Sequence, residues 1–150
     1  MSSIPFAATD PAAYETFMGR WSLRLAKPFL AFAQVSPGQR VLDVGCGTGV
    51  TTAAAADLGA RVVGIDTSEP YLDHARRHRA RTGATFEHGD ARAMTYPDTS
   101  FDAAVSTLAL NVVPDAAPIA RDAPRRPPRW GDGLGDSRVP QRLRTANAGA

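Results

Sequence analysis

An α/β fold built on a doubly wound parallel sheet is predicted by three observations. Short apolar runs of strand type alternate with stretches of helical period, glycines stand where strands pass into helices, and 150 residues suffice for one such core but not for two. Strands that alternate with helices need crossover connections, and crossovers give parallel pairing. From Pro11 to Val35 the apolar residues Phe17, Trp21, Leu25, Phe29 and Phe32 recur every three or four positions, which predicts an amphipathic entry helix with Pro28 as a candidate kink or break. After the turn Ser36-Pro37-Gly38, Arg40 to Val44 is a short apolar strand that runs straight into glycines. A helix follows from Val50 to Leu58 and ends at Gly59. Arg61 to Ile65 is the second strand; Ser68 can cap the next helix, with Pro70 in its first turn, and that helix runs to Arg81 before Gly83 stops it. Thr85 to His88 and Phe101 to Ser106 are the third and fourth strands, joined by a polar loop. In sheets of this kind the ligand lies beyond the carboxyl ends of the strands, so functional residues are expected after Val44, Ile65, His88 and Ser106.

Charge is unevenly distributed. The formal net charge is +2, yet residues 1–120 hold 10 Lys+Arg against 12 Asp+Glu, whereas residues 121–150 hold 7 against 3. That last segment, with 4 Pro and 4 Gly and no periodic apolar stretch, is expected to be disordered. Read functionally it would be a nucleic-acid arm through Arg125, Arg126 and Arg129, but tails of this composition more often bind nothing specific, and no nucleic-acid partner is expected. Three regions result: 1–35 as an N-terminal helical lid, 36–120 as an α/β binding domain, and 121–150 as a basic tail. No apolar run approaches the roughly 18 to 20 residues that span a bilayer, and the first residues lack the basic-then-apolar pattern of a secretory signal, so a cytoplasmic location is expected. The single cysteine, Cys46, excludes an internal disulfide and an all-cysteine zinc site. His74 and His78 stand four apart, a spacing that can bind metal, but Arg76, Arg77 and Arg79 around them point to a solvated helix face, and no metal is expected.

The chemistry concentrates in Asp43-Val44-Gly45-Cys46-Gly47-Thr48-Gly49. Three glycines on alternate positions let backbone approach a ligand closely and present peptide N–H groups near a helix N-terminus. A dinucleotide loop needs its third glycine where this chain has Val50, which disfavours NAD. An acidic residue two positions before the first glycine suits a ligand carrying an ammonium group better than one carrying a pyrophosphate. The plain alternatives are a tight strand-to-helix turn for the glycines, a polar strand end for Asp66, a turn former for Asp90, and core packing for Trp21 and Cys46.

VLDVGCGTG resembles the first motif of class I S-adenosylmethionine-dependent methyltransferases. VVGIDTSEPYLDHAR resembles that family's second-strand motif, FEHGDARAMTYPDTSFDAAVS its next stretch, and YETFMGRWSLRLA the cofactor-covering helix of the ubiquinone and menaquinone methyltransferase-like branch. The resemblance covers Tyr14 to Asp115 and implies a Rossmann-like, partial class I fold that binds S-adenosylmethionine. Carried over position by position, it implies that Gly45, Cys46 and Gly47 form the loop beside the methionine moiety and that Asp43 orders this loop and the cofactor's amino group. It implies that Asp66 holds the ribose hydroxyls, that Asp90 and the backbone of Ala91 read the adenine with Thr67 and Met94 flanking it, and that Tyr14, Arg20 and Trp21 close over the cofactor. Asn111 would face the acceptor; no catalytic residue is implied. The function so implied is methyl transfer to a small molecule. The alternatives are an inactive, truncated cofactor-binding fragment and, more weakly, an NAD-type nucleotide-binding domain. The resemblance stops near Ala120, before the fifth strand the family would add. Reading GC-rich codons for Arg121 to Asp136 one base later yields EMRRVARPGGVMVSA, which resembles that missing continuation, so 121–150 is expected to be out of frame.

Overall fold

In the computed structural model, which describes residues 10–97, 99–109 and 144–146, the chain enters through a short helix α1 (Pro11–Tyr14), a π-helical turn (Glu15–Gly19) and α2 (Arg20–Phe32). There follow β1 (Arg40–Val44), α3 (Val50–Asp57), β2 (Arg61–Asp66), α4 (Glu69–His78), β3 (Ala84–His88), β4 (Ala103–Thr107) and β5 (Arg144–Ala146). The Asp10 carboxylate starts α1 by accepting from the N–H groups of Ala12 and Ala13, both at 3.0 Å, with Pro11 preset for the first helical position. Pro28 does not break the helix: α2 continues through it, and the departure from α geometry falls upstream at Glu15–Gly19. Pro28 is exposed, so water can satisfy the carbonyl that its missing N–H leaves open.

The sheet order is β3-β2-β1-β4-β5, and every pair is parallel. Growth in one direction from β1 to β3 and in the other from β1 to β4 creates the switch point of a doubly wound sheet between β1 and β4. Alternation along the strands sorts the core into two layers. Val41, Val62 and Val105 pack with Phe29 and Leu30 of α2 and Ala55 and Ala56 of α3. Leu42, Val44 and Ile65 pack on the other side with Ala91, Met94, Tyr96 and Phe101. Phe101 is thus part of this second layer, edge-on to Tyr96 with ring centroids 5.0 Å apart, and β4 begins two residues later. Asp102 fastens the strand start to β1: its carboxylate accepts from the Arg40 backbone N–H at 2.9 Å and from the Arg40 guanidinium, while its own N–H donates to the Arg40 carbonyl.

The entry segment contributes to the main core through Phe29 and Leu30, which are 3% and 0% exposed. Regular structure is also found in the tail, where β5 pairs with β4 in the register Val105↔Arg144, Ser106↔Thr145 and Thr107↔Ala146. Strand pairing uses backbone groups alone, so an edge strand can recruit a partner whose side chains carry no strand pattern. This pairing counts against the out-of-frame reading, which expects no strand there. The rest of the tail, and Asn111, lie outside the described residues.

Candidate functional site

The carboxyl ends of β1, β2 and β3 come together around the glycine loop. Gly45 and Cys46 both donate their N–H groups to the Ile65 carbonyl, at 2.8 and 2.9 Å, which ties the loop to the end of β2. Gly47 has φ +55°, and a Cβ there would meet only the edge of the Tyr71 ring at 3.8 Å; its side is open to an approaching ligand. Gly49 is different: with φ +83°, its missing Cβ makes room for Phe86 and Ala75, so this glycine serves packing of the start of α3 against β3 and α4.

Asp66, the last residue of β2, accepts from the Gly47 N–H at 2.8 Å through one carboxylate oxygen and from the Ser68 N–H at 2.9 Å through the other. A carboxylate oxygen can take more than one donor, so both retain capacity for ligand hydroxyls. The sequence reading assigned Asp66 a ligand role and missed this second one, as the clasp of the loop. Thr67 beside it is exposed. The Gly89 N–H donates to the Asp66 carbonyl at 3.0 Å and so brings Asp90 to the adjoining strand end.

Three ionisable groups carry the site's electrostatics. Asp43 is 1% exposed and accepts from the Thr52 hydroxyl at 2.7 Å; burial pushes its carboxyl up to about 6, with the neighbouring Asp66 charge adding to the rise and the Thr52 hydrogen bond opposing it. Cys46 is buried, and burial, followed by the charges of Asp43 and Asp66, raises its thiol well above the ordinary range, so it is unreactive packing against Gly64. Asp90 is held down to about 2 by Arg92, whose side chain and backbone N–H both donate to it. Ala91 is buried in the second core layer, and Met94 packs against that layer.

The N-terminal residues divide. Tyr14 reaches the site: its ring lies 5.1 Å from that of Tyr71, it is hydrogen-bonded with Ser22, and burial raises its hydroxyl. Arg20 and Trp21 are solvent-exposed, and the guanidinium groups of Arg20 and Arg24 lie over the indole at 5.3 and 5.9 Å. Tyr71 was missed in the sequence; its place in the first turn of the helix that follows Asp66 is the signal that could have found it. His74 and Arg79 also depart from the solvated face expected of them. His74 Nε2 lies 3.9 Å from Glu15 Oε1, and Arg79 pairs with Glu15 at 2.9 Å. Among the described residues no group of three or more His, Cys, Asp or Glu could hold a metal ion, and no helix is long and apolar enough to cross a membrane.

A parallel sheet with a glycine loop clasped by a strand-end carboxylate defines the class as a nucleotide-type cofactor domain. The family model described as a methyltransferase domain matches residues 41–125. A cypemycin N-terminal methyltransferase from a Streptomyces species is 45% identical over 74 residues, covering 49% of this chain and 29% of the relative. A ubiquinone biosynthesis O-methyltransferase from Stutzerimonas stutzeri (strain A1501) is 36% identical over 138 residues, covering 81% and 58%. The crystal structure of an S-adenosylmethionine-dependent methyltransferase from Mesorhizobium loti superposes with a TM-score of 0.59 at 38% identity, over 64% of this chain and 45% of that one. The chain belongs to the class I S-adenosylmethionine-dependent methyltransferase family. It spans 29% and 58% of the length of these two curated relatives.

Proposed function

We propose that this chain binds S-adenosylmethionine at the carboxyl ends of β1, β2 and β3 and that its function is methyl transfer to a small-molecule acceptor. The observation that carries the reading is the Asp66 carboxylate, held by the Gly47 and Ser68 N–H groups beside an open glycine. Such an acceptor suits a pair of ribose hydroxyls, and the open backbone at Gly47 suits the methionine end, whereas the missing side chain of Gly45 makes room for Ala109. Buried Asp43 braces α3 against β1 through Thr52 and sets a negative bias under the loop that favours an ammonium group. Asp90 and the Ala91 backbone would read the adenine. Asp90 must then exchange Arg92 for the ligand's amino group, and the pair is easily opened because its side chains are 51% and 35% exposed and screened by water. Tyr14 and Tyr71 would close the pocket.

When bound, the cofactor supplies an electrophilic methyl on a sulfonium. Displacement there is direct, so the task left to the chain's residues is alignment of the acceptor, for which Asn111 is the residue proposed, and exclusion of water. Calorimetric titration with S-adenosylhomocysteine, with NADH as control, tests the reading; binding of the former alone is expected. Asp66→Ala should weaken it by about 10- to 150-fold, the loss of a charge-assisted hydrogen bond. Unchanged affinity would remove Asp66 from the site. Binding without methyl transfer to any acceptor would favour the cofactor-binding fragment over the enzyme.

A further inference from the structure

We propose that the ion pair between Glu15 and Arg79 is the latch that positions Tyr14 over the cofactor pocket. The inference rests on the functional reading above. α1 is the first turn of a helical run that continues through the π-helical turn into α2, and a helix end frays unless tertiary ties such as those to α4 hold it. Two such ties carry the inference, beside the longer approach of His74 Nε2 to Glu15 Oε1 at 3.9 Å. Tyr14 lies against Tyr71, and one residue further on the Glu15 carboxylate meets the Arg79 guanidinium at 2.9 Å. Tyr71, Ala75 and Arg79 are spaced four apart and share one face of α4 and its C-terminal cap, so the two ties run along a single line two helical turns long.

The surroundings of the pair show that the chain is built around it. Both side chains are 21% exposed, so most of their charge is withdrawn from water, and Glu15 Oε1 and Arg79 Nε are buried without a hydrogen-bond partner among the described residues. Such a pair resists separation, because parting it would leave each charge half-buried and alone. Gly19 supplies the room: a Cβ at that position would stand 2.6 Å from Glu15 Oε2 and 3.1 Å from its Cδ. The π-helical turn spans Glu15 to Gly19, so the irregular backbone, the missing side chain and the folded-back carboxylate occupy the same five residues. The backbone irregularity thus has a product, which is a carboxylate aimed at α4 directly after the tyrosine that covers the site. Glu15 and Arg79 touch no proposed ligand atom and are positioning residues.

The test compares wild type, Glu15→Gln, Arg79→Met and the exchanged pair Glu15→Arg with Arg79→Glu in the full chain, reading the dissociation rate of S-adenosylhomocysteine by stopped flow and the melting temperature of each. Each single variant should release the ligand about 5- to 30-fold faster, within the range of about 2- to 150-fold that coupling between residues in direct contact spans, and the exchanged pair should recover part of that loss. Melting temperatures that fall while release is unchanged would make the pair merely structural and overturn the proposal. Faster release that the exchanged, folded variant does not recover would overturn it as well. If wild type binds no S-adenosylhomocysteine, it is the functional reading that fails, and ligand-free amide exchange over Pro11–Gly19 then decides the latch: faster exchange in Glu15→Gln keeps it as a tie on this segment, and equal exchange removes it.

Discussion

A carboxyl group that is 1% exposed and close to a second carboxylate carries a cost that depends on pH, and Asp43 shows its sign. Burial raises its pKa from 3.8 to about 6, so between those values the folded chain holds a proton that the unfolded chain has released. Stability contributed by protonated Asp43 is therefore present below about pH 4, declines as pH rises toward 6, and is gone above it. Asp43→Asn keeps an oxygen for the Thr52 hydroxyl and removes the charge. Near pH 8 it should stabilise the ligand-free fold by about 1–3 kcal/mol, the gain shrinking to nothing below about pH 4. The same change should weaken S-adenosylhomocysteine binding by removing the negative bias under the loop. Melting curves across this pH range check it; a variant less stable than wild type near pH 8 would show that the Thr52 bond outweighs the buried charge. Residue identities at this scale were legible in part. Asp43, Asp66 and Asp90 stand where their spacing from strand ends predicts, because a strand end is announced by an apolar run and glycines. The Asp66 clasp on Gly47 and the Arg92 hold on Asp90 were not legible, since both depend on local backbone geometry.

At the scale of elements, β1 and the start of α3 fall where the apolar run and the glycines place them, whereas the N-terminal helix divides in a way the periodic pattern does not reveal. Nothing in Glu15-Thr16-Phe17-Met18-Gly19 signals a π-helical turn, and Arg79, the partner of Glu15 in that turn, lies 64 positions away in sequence. A single amphipathic period therefore covers two different jobs. The upstream part rests on α4 through Tyr14 and Tyr71, and α2 packs its Ala26, Phe29 and Leu30 into the core while Trp21 stays 52% exposed. Leu30→Ala should cost about 2–5 kcal/mol, the range for large-to-small changes in a tight core, whereas Trp21→Ala should alter stability by about 0.5 kcal/mol or less. Chemical denaturation of the two variants separates these outcomes. A large loss with Trp21→Ala would show that its stacking with Arg20 and Arg24 ties α2 down, against the weak value expected of exposed cation–π contacts.

At the scale of the whole molecule, the sheet separates the candidate site from β5. The glycine loop, Asp66 and Asp90 lie at the ends of β1, β2 and β3, whereas β5 is the outermost strand on the opposite side, with β4 between it and β1. The family match ends at residue 125, close to where the sequence motifs stop near Ala120, and β5 contributes only three paired residues beyond that point. Whether 121–150 belongs to the reading frame of the domain is decided by sequencing the gene: a methyltransferase-like continuation in another frame would establish the shift, and its absence would leave β5 as the native edge. The physical expectation for the chain as written can be tested separately. Deleting residues 121–150 should leave the affinity for S-adenosylhomocysteine within about threefold, because β5, the described part of this segment, is separated from the ends of β2 and β3 by β4 and β1, and distant groups with no shared partners contribute nearly independently. It should also bare the Val105–Thr107 backbone, and an unpaired strand edge pairs with other chains, so the shortened protein should self-associate more readily in light scattering. Lost binding in a variant that remains folded and monomeric would mean that the tail reaches the site. Equal scattering would mean that β5 does not protect the edge, which would return the tail to the out-of-frame reading.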